Sequence, residues 1–227
     1  MELTKNNTGE KSQADKATSL GLRLAKEADV EAMVTIHQRS FPGYFLTLLG
    51  TRFLTELYRG FVSDESGLCC VATRNATVVG FAAGTMEPAG CFKRFLKRQG
   101  LHFLLASLPA LRRHPFVVGR KLLSAITYRG ESPNLEGGGA LLSSLAVAPS
   151  NEGRGQGAAL VHYFCTIAQH QGAKYVYLTT DRDNNVKVNA FYVRQEFQLH
   201  SQFEKSGKRR MNCYVRDLSR SIKQPAA

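Results

Sequence analysis

The sequence predicts a mixed α/β fold in which helices flank one central sheet. Short apolar or β-branched runs of strand length alternate along the chain with segments whose apolar residues recur at helical spacing. A strand, a glycine-rich loop and a helix follow one another within residues 141–171, and this unit indicates a layered architecture. The chain has 227 residues, which is enough for one large domain or a small pair.

Charge and cysteine content narrow the classes of function. A formal net charge of +12 favours anionic partners, namely phosphates, acidic lipid surfaces or nucleic acid. The number of cysteines is odd and C-x-x-C spacing is absent, so we predict neither a disulfide framework nor a metal site. The N-terminus has no apolar signal segment, and no apolar run reaches transmembrane length. We therefore predict a cytoplasmic protein.

The first half of the chain predicts a disordered arm, a strand, two helices and a β-hairpin, in that order. Residues 1–20 are polar and aperiodic, which is typical of a disordered arm. Asp29 is the predicted N-cap of the first helix, which carries His37, and Thr51 is the predicted N-cap of the second. The predicted strands cover residues 22–24, 68–73 and 78–85.

Residues 90–139 differ from their surroundings, because basic residues outnumber acids and lie between apolar runs. This pattern predicts two or three amphipathic helices, with breaks at Pro109 and Pro115. Three interpretations stay open for the segment: a helical lid over the substrate, a dimer contact, or a peripheral membrane contact. Nucleic-acid binding is not favoured, because the basic residues are not interleaved with aromatic residues as in known modules.

Predicted strands and helices alternate in the second half of the chain. The strands cover residues 141–147, 174–180, 197–199 and 211–215, and the helices begin near Ala158 and Val186. The tail from Ser219 is polar and is predicted to be loose.

The loop at residues 153–157 indicates a phosphate or pyrophosphate site. Its glycines allow the backbone to approach phosphate oxygens, and the first N–H groups of the following helix have no internal partner. It is not a P-loop, because two alanines follow Gly157 where Lys and Ser or Thr would stand. It matches G-x-G-x-x-A, but no acidic residue ends a second strand at the distance that a dinucleotide fold requires.

Two motifs taken together resemble the GNAT superfamily of acetyl-CoA-dependent N-acetyltransferases. The family's pyrophosphate loop reads Gln/Arg-x-x-Gly-x-Gly/Ala, and Gly155 and Gly157 fill its glycine positions. Glu152 departs from the polar or basic first residue, and Arg154 offers a positive charge nearby. We expect Arg154 to face the phosphates and Glu152 to point away.

The second motif is an asparagine followed by a tyrosine and a Gly-Phe pair. Asn185, Tyr192 and Phe197 match it, whereas Glu196 stands at the position of the usual glycine. The early stretch 37–58 bears a weaker likeness to sugar and surface-polysaccharide acetyltransferases.

The resemblance implies one GNAT-like domain over residues 21–218, with a mixed, mostly antiparallel sheet, followed by a tail at 219–227. Residues 90–139 are then a basic amphipathic helical insertion outside the shared core. The implied activity is direct transfer of an acetyl group from acetyl-CoA to a primary amine of a small molecule, with amino sugars among the candidates. Two other functions stay open: a non-catalytic acyl-CoA-binding sensor or interaction module, and a protein N-acetyltransferase.

The resemblance also implies roles for individual residues. The strand at residues 145–147 separates from its neighbour and offers backbone N–H groups to the thioester. Tyr192 is the predicted general acid for the leaving thiolate. Two residues are candidates for the general base: Glu87, at the end of the hairpin strand that should flank the acceptor cleft, and His37, whose largely apolar helix is more typical of a core or rim histidine. Of the two we predict Glu87. Of Ser143 and Ser144 one should face the cleft, because side chains alternate along a strand. The predicted cofactor-binding residues are Leu145, Ala146, Val147, Glu152, Gly153, Arg154, Gly155, Gln156, Gly157, Ala158, Asn185 and Asn189.

Overall fold

The computed structural model describes residues 20–113, 137–205 and 208–219 of the chain. The predicted N-terminal arm up to residue 19, the later part of the insertion with Pro115, and most of the tail lie outside these residues.

Within the described residues, seven strands form one sheet. The strands are β1 (Gly21–Leu24), β2 (Gly67–Arg74), β3 (Thr77–Thr85), β4 (Gly139–Val147), β5 (Tyr175–Asp181), β6 (Gln198–Lys205) and β7 (Arg209–Asp217). Their order in the sheet is β1-β2-β3-β4-β5-β7-β6. The β4–β5 pair is parallel, and the other neighbouring pairs are antiparallel. The predicted fold class, a mixed and mostly antiparallel sheet with flanking helices, is confirmed.

Helices cover both faces of this sheet. They are α1 (Val30–Ser40), α2 (Phe45–Leu48), α3 (Thr51–Ser63), α4 (Cys91–Arg113), α5 (Gln156–His170) and α6 (Val186–Arg194). Two short 3₁₀ turns, Glu27–Asp29 and Pro149–Asn151, precede α1 and α5. None of the helices in this described part of the chain is both long and apolar enough to cross a bilayer.

The alternation of side chains along the central strands creates two apolar cores. On β3, Phe81 and Ala83 face the layer of α1, α3 and α4, whereas Ala82 faces the layer of α5 and α6. Both faces of β3 are therefore buried, which explains why this strand reads as a continuous apolar run rather than an alternating one.

Three local predictions need correction. Pro109 lies inside α4 and not at its boundary, and the irregular backbone of that helix falls at Gln99 instead (φ −136°, ψ 27°). Asp29 stands at the N-cap of α1, but its carboxylate accepts the backbone N–H of Lys26 (2.7 Å) and pairs with Arg23 (2.6 Å). The second helix begins at Thr51 with Gly50 as its N-cap residue.

Candidate functional site

A wedge-shaped cleft opens between β4 and β5. The two strands pair only where Gly139–Leu141 lies beside Tyr175–Tyr177. Beyond that point β4 continues to Val147 and β5 to Asp181 as separate edges. The separation that the family resemblance implies is therefore present, and it exposes backbone polar groups in the middle of the sheet.

A β-bulge at Ser143 lies where the cleft begins. Ser144 pairs with Ala83 and Leu142 pairs with Gly84, so Ser143 is the extra residue in β4. A Cβ on Gly84 would lie 1.9 Å from the carbonyl oxygen of Leu141, so glycine is required at this close approach. The bulge breaks the simple alternation that the sequence suggested for the two serines, and Ser143 is exposed while Ser144 is partly buried.

Along β4, the backbone N–H and C=O groups of every second residue face the cleft. The N–H of Ala148 donates to the carbonyl of Val79 (2.8 Å), so it faces β3. Because backbone groups alternate in direction along a strand, those of Ala146 also face β3, and those of Leu145 and Val147 face the cleft. The carbonyl of Val147 accepts a hydrogen bond from Ser40 Oγ (3.1 Å), which attaches the end of α1 to this rim.

The glycine loop turns directly from this rim into α5. Gly153 (φ 76°) and Gly155 (φ 81°) adopt left-handed conformations that side chains with a Cβ disfavour. The N–H of Ala159 donates to the carbonyl of Gly155 (3.0 Å), and this is the first helical hydrogen bond of α5. The N–H groups that precede it lie at the positive end of the helix dipole, where an anion is stabilised.

Gln156 stabilises the loop from within. Gln156 is 1% exposed, and the end of its side chain lies between the carbonyls of Asn151 and Arg154; with the amide nitrogen assigned to that side, it donates to both (2.9 and 3.2 Å). The side chain therefore holds the turn, and only the backbone N–H of Gln156 is placed for an external anion. Glu152 and Arg154 are both exposed, so either can approach a ligand at this loop.

The loop and the second motif meet in space. A Cβ on Gly157 would lie 3.5 Å from the ring of Phe191, which is ordinary van der Waals contact. Gly157 thus lies where α5 packs against α6. The contact brings the two halves of the sequence pattern to the same end of the cleft.

Asn185 and Asn189 connect α6 to the end of β5. The amide of Asn185 donates to Thr180 Oγ1 (2.7 Å) and the carbonyl of Asp181 (3.1 Å). Asn185 stands at the N-cap position of α6, but its side chain makes no capping hydrogen bond to the helix. The amide of Asn189 donates to the carbonyls of Asp181 (3.0 Å) and Asn185 (2.9 Å), so both side chains position the start of α6 beside the cleft.

Tyr192 lies in the apolar core beneath the cleft. It is 9% exposed and belongs to the cluster against which Leu145 and Val147 pack. Its ring contacts those of Phe191 (5.2 Å between centroids) and Phe197 (5.8 Å). Burial raises the pKa of the Tyr192 phenol above its usual value, so the hydroxyl keeps its proton at neutral pH.

The backbone conformation at Glu196 shows why the second motif normally has a glycine at this position. Its backbone φ is 65°, in the left-handed region that glycine adopts without strain. The side chain accepts a hydrogen bond from Arg216 Nη2 (2.5 Å). The departure from the motif therefore leaves the turn into Phe197 intact.

Glu87 is not brought next to the other predicted site residues. It follows β3, and Ala83 of that strand pairs with Ser144. Two residues of β3 and two more beyond its end at Thr85 put Glu87 up to about 13 Å from the level of Ser144. Its carboxylate is 68% exposed and lies 3.4 Å from the guanidinium of Arg94.

A buried polar network lies beneath β4 on the opposite face. His37 Nδ1 and the Tyr58 hydroxyl are 2.6 Å apart, and the Ser144 side chain lies near the same hydroxyl. His37 is 3% exposed, so it is the core histidine that its sequence context suggested, although its Nε2 has no partner among the described residues. Burial lowers the pKa of His37 to about 4, which makes the imidazole neutral at physiological pH.

A contact that the sequence did not predict joins the two sides of the cleft near its open end. The guanidinium of Arg209 lies 5.9 Å from the ring centroid of Tyr44 and is paired with Asp181. Tyr44 follows α1, on the β4 side, whereas Arg209 begins β7, on the β5 side. No sequence pattern indicated this pair, because the two residues are far apart in the chain and meet only through the sheet order.

Comparison with known proteins agrees with this geometry. The family model for "Acetyltransferase (GNAT) family" matches residues 30–197. The fold is similar to Ard1 from Thermoplasma volcanium, with 18% identity, a TM-score of 0.55, and coverage of 87% of this chain and 97% of that one. None of the curated protein sequences compared with the chain is significantly similar to it.

Two ribosomal-protein acetyltransferases have a similar fold. The ribosomal-protein-S18-alanine N-acetyltransferase from Escherichia coli has 14% identity and a TM-score of 0.54, with 92% of this chain and 100% of that one covered. The ribosomal-protein-alanine N-acetyltransferase from Brucella melitensis has 15% identity and a TM-score of 0.56, with 87% and 99% covered. At such identities the likeness concerns the fold alone.

Proposed function

Because the chain belongs to the acetyltransferase (GNAT) family, we propose that it transfers an acetyl group from acetyl-CoA to a primary amine of a small molecule. The observation that carries the proposal is the cleft between β4 and β5, which ends at a loop with unpaired N–H groups. A split sheet edge beside an anion-binding helix start suits a long thioester with a pyrophosphate at one end.

The loop would hold the pyrophosphate of acetyl-CoA. The backbone N–H groups from Gly153 to Ala158 supply donors at the positive end of α5, and the exposed Arg154 supplies a full charge. The exposed Glu152 would turn away, because a carboxylate beside the phosphates would weaken binding.

The β4 edge would hold the acyl arm. Leu145 and Val147 face the cleft with their backbone groups, and an N–H there can donate to the thioester oxygen as negative charge develops on it. Acetyl-CoA supplies the activated acyl group and a thiolate leaving group.

Tyr192 would protonate the departing thiolate. A phenol and a thiol have ordinary pKa values near 10 and 8.5, so the transfer is roughly balanced. Burial raises the pKa of Tyr192, and the same dry surroundings raise the pKa of a thiol held beside it. The balance is therefore preserved when both groups are buried.

Removal of a proton from the amine requires a general base. Glu87 stays our prediction for the general base, and at up to about 13 Å from the level of Ser144 it would act through a chain of water molecules. His37 is not suited to that role, because an imidazole with a pKa of about 4 is a weak base at neutral pH. Ser144, which lies near Tyr58, can orient the amine at the cleft edge.

The acceptor would enter beside Tyr44 and Arg209. The ring of Tyr44 is 46% exposed and offers an apolar face, and Asp181 and Arg209 neutralise each other. A partly apolar, hydroxylated amine fits such a rim, and amino sugars are therefore the first acceptors to test.

The experiment is a thiol-release assay with acetyl-CoA and a panel of amino sugars, polyamines, amino acids and peptides, with products identified by mass spectrometry. We expect acetylated product from at least one small amine. Tyr192→Phe should lower kcat by about 10²-fold while the KM for acetyl-CoA changes little. Unchanged turnover in Tyr192→Phe at every pH would refute the assigned acid, and binding without turnover on the whole panel would favour a non-catalytic binding module.

A further inference from the structure

The outer face of α4 carries an apolar stripe. Leu101, Leu104, Leu105 and Leu108 are 67%, 58%, 52% and 41% exposed. Their spacing of i, i+3, i+4 and i+7 places all four on one side of the helix. Single exposed leucines are common on protein surfaces, whereas a contiguous group of this kind marks an interaction site.

Packing on the inner face fixes the orientation of this stripe. The Phe103 ring contacts the Phe53 ring edge-on at 5.2 Å, and the Phe95 ring contacts the Phe61 ring at 5.1 Å. Rotating α4 to bury the leucines would withdraw these buried aromatic rings from the core. The leucines therefore stay outward in the folded protein.

The charge on α4 is entirely positive. The helix Cys91–Arg113 contains no aspartate or glutamate. Lys93 and Lys97 are exposed before the irregular backbone at Gln99 that precedes the leucine stripe, and Arg112 is exposed on the turn that follows Leu108. Arg98 is 53% exposed, with its guanidinium 3.7 Å from Asp64. The stripe thus lies between cations, which is the charge pattern of helices that bind at a lipid interface.

A depression of about 260 Å³ adjoins the stripe between α3 and α4. Arg52, Arg59 and His102 contribute to its lining, and Leu105 forms part of its wall. Arg59 is paired with Glu56 at 3.1 Å and with Glu27 at 2.7 Å. Arg52 and His102 are therefore the basic groups that the cavity offers to a lipid phosphate, beside an apolar edge.

We propose that the α4 surface, comprising the four leucines with Lys93, Lys97 and Arg112, binds the surface of a bilayer that contains anionic phospholipids. The leucines enter the boundary between headgroups and acyl chains, and the cations contact the headgroup phosphates. A second copy of the chain is the less favoured occupant, because a two-fold contact would place the same acid-free helix against itself. The inference is independent of the proposed acetyl transfer.

The absence of tryptophan from the chain allows a site-specific test. The Leu104→Trp variant places the single indole on the stripe, and Leu199→Trp places it on β6, where the leucine is 49% exposed. Vesicles of phosphatidylcholine with phosphatidylglycerol should shift the emission of Leu104→Trp to shorter wavelength and leave that of Leu199→Trp unchanged. Vesicles of phosphatidylcholine alone should give a much smaller shift.

Co-sedimentation of the full chain with the same vesicles provides the second measurement. Leu104→Asp and the double variant Lys93→Gln/Lys97→Gln should each reduce the bound fraction about tenfold or more at low salt, and Leu199→Asp should not. Acetyl transfer to a soluble amine should be the same in all of these variants, so failure here is distinct from failure of the proposed function. Wild-type protein that does not sediment with anionic vesicles at low salt would overturn the proposal.

Two other outcomes would also overturn it. An emission of Leu104→Trp that is already at short wavelength without lipid, and that lipid does not change, would mean that other parts of the chain cover the stripe. A wild-type dimer in light scattering that Leu104→Asp converts to monomer, without vesicle binding, would assign the surface to a second copy.

Discussion

Acidification should destabilise the protein through His37. The imidazole is 3% exposed, and burial lowers its pKa to about 4 from the 6.5 of an exposed histidine. Between these two values the unfolded chain binds a proton at this residue and the folded chain does not. The free energy of unfolding therefore rises with pH through this window, and it falls as the pH is lowered from neutrality.

The two pKa values set the size of the effect. The difference in proton binding at His37 lowers the free energy of unfolding by about 2 kcal/mol between pH 7 and pH 5, and by about 3 kcal/mol between pH 7 and pH 4. Asp29 and Asp64 have pKa values lowered by their hydrogen bonds and cations. The stability that these two carboxylates contribute is lost only when the pH falls below the ordinary carboxylate pKa range. A comparison between pH 5 and pH 7 therefore measures the effect of the histidine and not theirs.

The assay is urea unfolding at pH 7 and pH 5, followed by circular dichroism. His37→Asn retains an amide that can bond to Tyr58 but removes the titrating ring. We expect this variant to lose about 2 kcal/mol less than the wild type on acidification. The control is His162→Asn, at an exposed position of α5, which should behave as the wild type does. Equal acid sensitivity of His37→Asn and the wild type would refute the reasoning.

Three further predictions concern the glycine loop, the turn before Phe197 and the thiols. Gly155→Ala should let the free loop leave its left-handed conformation, and binding must then restore it at a cost of about 1–2 kcal/mol. Acetyl-CoA binding should therefore weaken by about 5- to 30-fold in titration calorimetry, whereas Gly157→Ala, where a Cβ fits, should bind as the wild type does. Glu196→Gly should be about 1 kcal/mol more stable than Glu196→Ala in urea unfolding, since both lose the Arg216 contact and only alanine strains φ; equal stabilities would contradict this. All five cysteines are buried, so none should react rapidly with a thiol reagent in the native protein and all should react in urea. A fast-reacting thiol in the native state would contradict the structure.

Local and periodic features of the fold could be predicted from the sequence. Glycines and regular apolar spacing mark the strand, loop and helix around Gly155, and regular apolar spacing also marks the helix that carries Tyr192. The type of each of these elements could therefore be predicted from the local sequence. The prediction of a helix boundary at Pro109 was wrong: proline removes a helical hydrogen bond and crowds the preceding turn, yet Pro109 lies inside α4. The aromatic contacts of Phe95 and Phe103 with α3 outweigh that loss.

The candidate site was predictable only where it is continuous in the chain. The loop and α6 each carry a motif, and their meeting at Gly157 and Phe191 follows from the fold. The bulge at Ser143 depends on how β3 pairs with β4, which no local pattern encodes. The contact between Tyr44 and Arg209 likewise depends on the sheet order.

A crystal structure of the protein with bound CoA is the most direct test of the account. We predict the pyrophosphate within hydrogen-bonding distance of the N–H groups between Gly153 and Ala158, with the pantetheine arm between β4 and β5 and its thiol near Tyr192. Arg154 should face the phosphates and Glu152 should point away. CoA bound outside this cleft, or Glu152 against the pyrophosphate with no cation between them, would contradict the account.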